Sequence, residues 1–212
     1  MLMTSKEDHV SNMKKHYDTL YEADKTYWGL DPSPLSLLLF SHLTERKNLT
    51  LLDLGCGQGP DTLFFAKKGF SVTSVDVSET GLSHLKEIAE KQGTANKIET
   101  INVDMQDINE LPKEDFKVIF SRMSIQMIPE TKREEYLQQL KNKYPNSIHV
   151  HIIPINGACF GNDFICKDNL LEEGYDDWDV LYKNKVWTLS RTKNKNGEPY
   201  LMQESLMIAK KK

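Results

Sequence analysis

LLDLGCGQGPDTLFFA, Leu51 to Ala66, sets three glycines within five residues between two apolar runs. The run from Leu49 to Leu54 is nearly continuous, the pattern of a strand buried on both faces. Pro60 is placed to open a helix, since the first helical position has no use for an N–H. Gly69 is placed to close it. A strand, a glycine turn and a helix in that order make a loop whose backbone can turn sharply and approach a ligand closely.

The same rhythm continues outward. Ser71 to Val77 reads as a β-branched strand, and Glu79 to Gln92 carries helical periodicity through Leu82, Leu85, Ile88 and Ala89. Ile98 to Asp104 and Phe116 to Arg122 read as further strands, Glu130 to Lys143 as an amphipathic helix, and Ser147 to Pro154 as a fifth strand. Alternation of this kind implies right-handed crossovers and a doubly wound, mostly parallel α/β sheet. The rhythm then changes. Asp179 to Ser190 and Tyr200 to Lys210 read as two long strands around an Asn-Gly turn signal, a C-terminal antiparallel hairpin. Residues 1 to 45 are polar and helical in pattern, broken at Gly29, Pro32 and Pro34. The expected organisation is an N-terminal helical segment, 1–45, and one domain, 46–212.

The chain has 212 residues, 39% of them hydrophobic and 27% charged, with a net charge of −4. That balance is ordinary for a globular protein and provides no basic field for nucleic acid or an acidic membrane. No segment approaches the length of a membrane span, and the charged start lacks the apolar centre of a secretion signal. Cys56, Cys159 and Cys166 are too few and too unevenly spaced for a disulfide framework or a four-cysteine metal site. The expectations are a cytoplasmic protein without a metal, acting as a monomer or homodimer.

Charge beside the glycines narrows the ligand. A diphosphate prefers the positive end of a helix, but Asp53 precedes the loop and Asp61 stands in the first turn after it. Two carboxylates suit a ligand carrying positive charge, such as S-adenosylmethionine with its ammonium and sulfonium. A ribose needs an acidic partner about 20 residues on, at the end of the second strand. Asp76 stands there. Asp53 also suits a turn, Asp76 a helix cap, and Cys56 the contribution of its backbone alone.

With these residues together, LDLGCGQGPDTLFFAKKGFSVTSVDVSETGL resembles the first two motifs of the class I, seven-stranded S-adenosylmethionine-dependent methyltransferases. The resemblance implies the Rossmann-like seven-stranded sheet of that family and runs from about Tyr17 onward. It implies that Gly55, Cys56, Gly57 and Gly59 line the methionine portion of the cofactor, with Asp53 ahead of them. Asp76, followed by Val77, would take the ribose hydroxyls, and Asp104 with Met105 would lie beside the adenine. Small-molecule methyltransferases often place an aromatic stretch before the first strand as a lid. Tyr17, Tyr21 and Trp28 match it, although packing of a plain helix would also use them. S-adenosyl-L-homocysteine is the implied product.

The acceptor side is thinner. Ser121 and Arg122 end the fourth strand, where ligands of open α/β sheets bind. Arg122 suits an anionic acceptor or a surface acid. His149 and His151 share one strand face by alternation, and His151, nearer the carboxyl end, suits a general base or a packed histidine. The family motif for methylating planar amide or base nitrogens is absent after the fourth strand, which points to a small molecule. FICKDNLLEEGYDDWDVLYKN, LSRTKNKNGEP and LMIAKKK are similar to the ending of the tellurite-resistance methyltransferases. There the group's His-Arg-Thr reads Ser190-Arg191-Thr192, and Arg191 would hold an oxyanion. Thiol, selenium and tellurium acceptors follow from this likeness. A binder of S-adenosylmethionine that senses without transferring is the alternative of a different class.

Overall fold

The leucine run ahead of the glycine loop forms β1 (Thr50–Leu54), whose last four residues are all buried. The computed structural model describes residues 6–44, 49–157 and 164–212, with the side chains of residues 6, 7, 191 and 192 outside that set. Cys159, the Arg191 side chain and the expected boundary at residues 45 and 46 therefore lie outside the described residues. The chain divides into two units, Met1–Pro112 and Lys113–Lys212.

The first unit contains α1 (Lys6–Ala23), α2 (Pro34–His42), β1, α3 (Pro60–Lys67), β2 (Ser71–Asp76), α4 (Glu79–Lys91) and β3 (Ile98–Asn102). Strand β2 lies between β1 and β3 and is parallel to both; Asp53 is in register with Ser74, and Asp76 with Asn102. Pro34, expected as a break, instead opens α2 behind the N-cap Ser33, whose side chain accepts from the Ser36 N–H. A missing N–H is harmless at that first position. Leu51, Leu54, Phe65, Phe70, Val75 and Leu85 have no exposed surface and make the centre of this unit. Each such side chain contributes roughly 1.5–3 kcal/mol of burial.

The second unit contains β4 (Val118–Arg122), α5 (Glu130–Lys143), β5 (Ile148–Gly157), α6 (Leu170–Gly174), β6 (Trp178–Lys193) and β7 (Pro199–Lys211). Its strands run in the order β4-β5-β7-β6. Strands β4 and β5 are parallel, and β7 pairs antiparallel with β5 on one side and β6 on the other. The hairpin turn is tied by Asn194, whose side-chain oxygen accepts from the N–H groups of Asn196 (2.9 Å) and Glu198 (3.0 Å). At 16 and 13 residues the hairpin strands outrun the expected ranges. Each unit thus combines parallel strands with helices, and the second ends in the expected C-terminal antiparallel hairpin. No helix among the described residues is long and apolar enough to cross a membrane.

Candidate functional site

In the first unit the glycine loop hangs from the end of β2. The N–H groups of Gly55 and Cys56 both donate to the Val75 carbonyl, at 2.8 and 3.1 Å. Gly57 and Gly59 have φ of 57° and 72°, a region that other residues enter at a cost. Space is tight as well. A Cβ on Gly57 would come within 2.7 Å of the Tyr21 hydroxyl, and one on Gly59 within 2.5 Å of Leu85.

Asp76 closes β2 beside this loop. One of its carboxylate oxygens accepts from the Gly57 N–H at 2.7 Å, the other from the Ser78 N–H at 2.8 Å. Its pKa is pushed above the ordinary carboxylate range by burial, which the backbone N–H groups of Ser78, Gly57 and Val77 only partly offset. A carboxylate has about four lone-pair positions, so each oxygen keeps capacity for a hydroxyl from a vicinal diol. Asn102 fixes the strand end by donating to the carbonyls of Asp76 (3.0 Å) and Val77 (2.9 Å). Strand β3 stops two residues short of its expected end at Asp104, which accepts from the Gln106 N–H at 2.9 Å and is followed by the buried Met105.

The aromatic segment converges on the same place. Tyr17 and Tyr21 stand one turn apart on α1 with ring centroids 5.8 Å apart, and Trp28 Nε1 donates to the Tyr21 hydroxyl at 2.9 Å. Burial, reinforced by the Asp76 charge, pushes both tyrosine hydroxyls and the Cys56 thiol well up, so all three stay neutral. Tyr17, Tyr21, Cys56, Gly57 and Asp76 thus form one cluster.

Asp53 and Asp61 are used differently from the electrostatic argument. Both are only 3% exposed. Asp53 accepts from Thr62 Oγ1 at 2.6 Å, and Asp61 accepts from the Ser33 N–H and Ser36 Oγ, each at 2.6 Å. These bonds pin α3 to β1 and the start of α2 to α3.

The second unit holds the remaining candidates. His149 Nε2 lies 3.0 Å from the Tyr144 carbonyl, an acceptor only, so this nitrogen carries the hydrogen. His149 Nδ1 then accepts from the Tyr175 hydroxyl (2.7 Å), and the Tyr175 oxygen accepts from His151 Nε2 (2.6 Å). His151 Nδ1 is left to accept from Ser121 Oγ (2.7 Å). None of these four side chains is exposed. Burial holds the His149 pKa down at about 4 and His151 well below its usual value. Both nitrogens of His151 are therefore committed inside the unit.

Arg122 is partly exposed, and its charge favours the ionised form of Glu204, although burial wins and pushes that carboxyl up. Just beyond β4, Met123 has a φ of 54°. Gln126 is 1% exposed and neither polar atom of its amide has a partner among the described residues. Sequence reasoning missed Gln126, Asn102 and Tyr175. Only Tyr175 carried a signal, as an aromatic beside a turn of acids. Among the described residues no cluster of His, Cys, Asp and Glu could hold a metal ion.

The glycine loop with β1 and β2 falls inside the region, residues 51–143, that matches a family described as Methyltransferase domain. Over 172 residues, 76% of this chain, the sequence is 30% identical to a probable S-adenosyl-L-methionine-dependent methyltransferase, TehB, of Haemophilus influenzae. It spans 57% of that protein's length. The crystal structure of TehB from Haemophilus influenzae shares the fold with a TM-score of 0.73 at 24% identity, covering 84% of this chain and 61% of that one. A 1,6-didemethyltoxoflavin-N1-methyltransferase of Burkholderia thailandensis, solved with its namesake compound and S-adenosylhomocysteine, has a TM-score of 0.67 at 16% identity. That alignment covers 100% of this chain and 93% of the other.

Proposed function

Residues 51–143 match a methyltransferase domain family, and on that premise we propose that the chain is a class I enzyme transferring a methyl group from S-adenosylmethionine to a small molecule. The observation that carries the reading is Asp76, a carboxylate at a strand end. Both its oxygens are oriented by backbone N–H groups and retain capacity for two more donors.

The residues present fit such a ligand. Asp76 takes the ribose hydroxyls, with Val77 at its side. The loop from Gly55 to Gly59 brings bare backbone against the methionine portion; a Cβ at Gly57 would meet the Tyr21 hydroxyl, and one at Gly59 would strike the buried Leu85 behind the loop. Asp53 supports that loop from inside through Thr62. Asp104 and Met105 are assigned to the adenine end. Tyr17, Tyr21 and Trp28 cover the site, exclude water, and turn neutral aromatic faces toward a cation. Bound S-adenosylmethionine supplies an activated methyl group on a sulfonium, and its loss leaves the neutral S-adenosylhomocysteine.

Methyl transfer to a soft nucleophile needs alignment more than proton chemistry. We assign Arg122 and Arg191 to an anionic acceptor and place His151 behind Ser121, whose hydroxyl it holds. The acceptors favoured are a thiol or a selenium or tellurium oxyanion, on the likeness to the tellurite-resistance group. The reading includes a cytoplasmic monomer or homodimer with no nucleic-acid partner, in keeping with a net charge of −4.

Thermal unfolding with S-adenosylmethionine, S-adenosylhomocysteine and NAD(H) tests it. A ligand at ~100 times its Kd adds about 2.7 kcal/mol, or roughly 5–10 °C for a chain of this size. A rise with the first two alone is expected, followed by methyl transfer to thiol, selenite or tellurite. Binding without turnover on any of them would favour a sensor, and a rise with NAD(H) alone would overturn the reading.

A further inference from the structure

The two N–H groups that orient Asp76 belong to Gly57 and Ser78. Both residues face α1. The Tyr21 hydroxyl stands where a Cβ on Gly57 would be 2.7 Å away, and the Tyr21 ring fills the space over Gly81 in the same manner, at 2.9 Å. One turn earlier on the helix, Asp18 accepts from Ser78 Oγ at 2.5 Å. The Thr80 N–H reaches the same carboxylate oxygen at 3.4 Å. Ser78 Oγ in turn accepts from the Gly81 N–H at 2.9 Å, as the N-cap of α4. Asp18, Ser78, Gly81 and Tyr21 therefore close a ring around the start of α4, with Asp76 bonded to one member of it.

Charge supports the arrangement. Lys14 pairs with Asp18 at 3.3 Å and with Glu79 at 3.2 Å. Partial burial opposes ionisation of Asp18, but the Ser78 hydroxyl and the Lys14 ammonium outweigh it and hold the carboxyl below its ordinary range. A carboxylate beside the first turn of α4 also faces the positive end of the helix dipole.

We propose that Asp18 is a positioning residue of the cofactor site: through Ser78 it ties the aromatic helix α1 to Asp76, so that the covering aromatic face and the ribose-binding carboxylate are set as one unit. This rests on the reading of Asp76 as the ribose acceptor. A helix cap alone would stabilise α4 without affecting ligand residence. A tie between α1 and Asp76 slows ligand release, because Tyr21 and Asp76 must let go together.

The test compares Asp18→Ala with Asp18→Asn, which keeps an acceptor for the Ser78 hydroxyl. Loss of a hydrogen bond to a charged group is expected to weaken S-adenosylhomocysteine about tenfold in Asp18→Ala, mostly through faster release. Asp18→Asn should stay within about threefold of the unmodified protein, since its amide oxygen still accepts from Ser78. In an Asp76→Ala background the added Asp18→Ala change should have no further effect, the mark of coupled residues. Additive losses, or a fall in melting temperature with unchanged release, would reduce Asp18 to a cap and overturn the proposal.

Tryptic cleavage at Lys14 and Lys15, without any ligand, reads the tie independently. Faster cleavage in Asp18→Ala than in Asp18→Asn supports it, and equal cleavage of all forms overturns it. Failure of the unmodified protein to bind S-adenosylhomocysteine would sink the methyltransferase reading instead, leaving cleavage to judge the tie.

Discussion

At the scale of single residues, Asp76 has a titration of its own to expose. Its folded pKa lies above the ordinary carboxylate value because burial penalises the charge. A ribose hydroxyl donates to the carboxylate and loses that acceptor when the group is protonated. Affinity for S-adenosylhomocysteine is therefore expected to fall on acidification from pH 7, the fall beginning at a higher pH than an ordinary carboxylate would give. Asp76→Asn should bind more weakly at pH 7 and lose that dependence, as calorimetric titration at pH 7 and pH 5 would show. An affinity flat with pH in the unmodified protein would remove Asp76 from the site. The position of Asp76 was legible because strand ends and glycine spacing leave marks in the sequence. The employment of Asp53 and Asp61 was not legible. Their partners Thr62, Ser33 and Ser36 are ordinary small polar residues, and only folding shows which carboxylate they face.

At the scale of elements, helix α4 begins on Ser78, whose side chain caps Gly81. Removing an N-cap costs about 1 kcal/mol, but here the same hydroxyl also bonds Asp18. Ser78→Ala should therefore destabilise the protein by more than an isolated cap, roughly 1.5–3 kcal/mol with a charged partner lost as well. A shift of the urea midpoint at constant slope would measure it. A loss under about 0.5 kcal/mol, the size of an ordinary surface change, would mean that α1 docks without this bond. Most elements were readable from periodicity, and α5 runs over the expected residues, Glu130–Lys143. Helix α6 was harder. Five residues are too short for a period to declare itself, and the importance of Tyr175 just beyond it depends on two histidines more than twenty positions earlier in the chain.

For the molecule as a whole, the buried pair His149 and His151 governs behaviour in acid. An unfolded histidine protonates near pH 6.5, whereas burial holds His149 down to about 4 and His151 well below its ordinary value. Between those values the unfolded chain takes up protons that the folded one refuses, so stability falls as pH drops through the window. For His149 alone the loss is roughly 3 kcal/mol across the range. Urea unfolding at pH 7 and pH 4.5 should show it, and His149→Gln should lessen the difference; equal midpoints in the unmodified protein would mean the pair is not buried as described. The fold class was legible in the alternation of strands and helices, whereas the strand order β4-β5-β7-β6 was not, because pairing of distant strands leaves no local pattern. That order has a consequence for biosynthesis. β7 lies between two strands that are translated before it. While the ribosome is still at work, β5 and β6 both present bare edges with nothing to join them, a template for mispairing with other nascent chains. The second unit can close only when the strand that fills the gap emerges, so its vulnerable interval spans the synthesis of the whole hairpin.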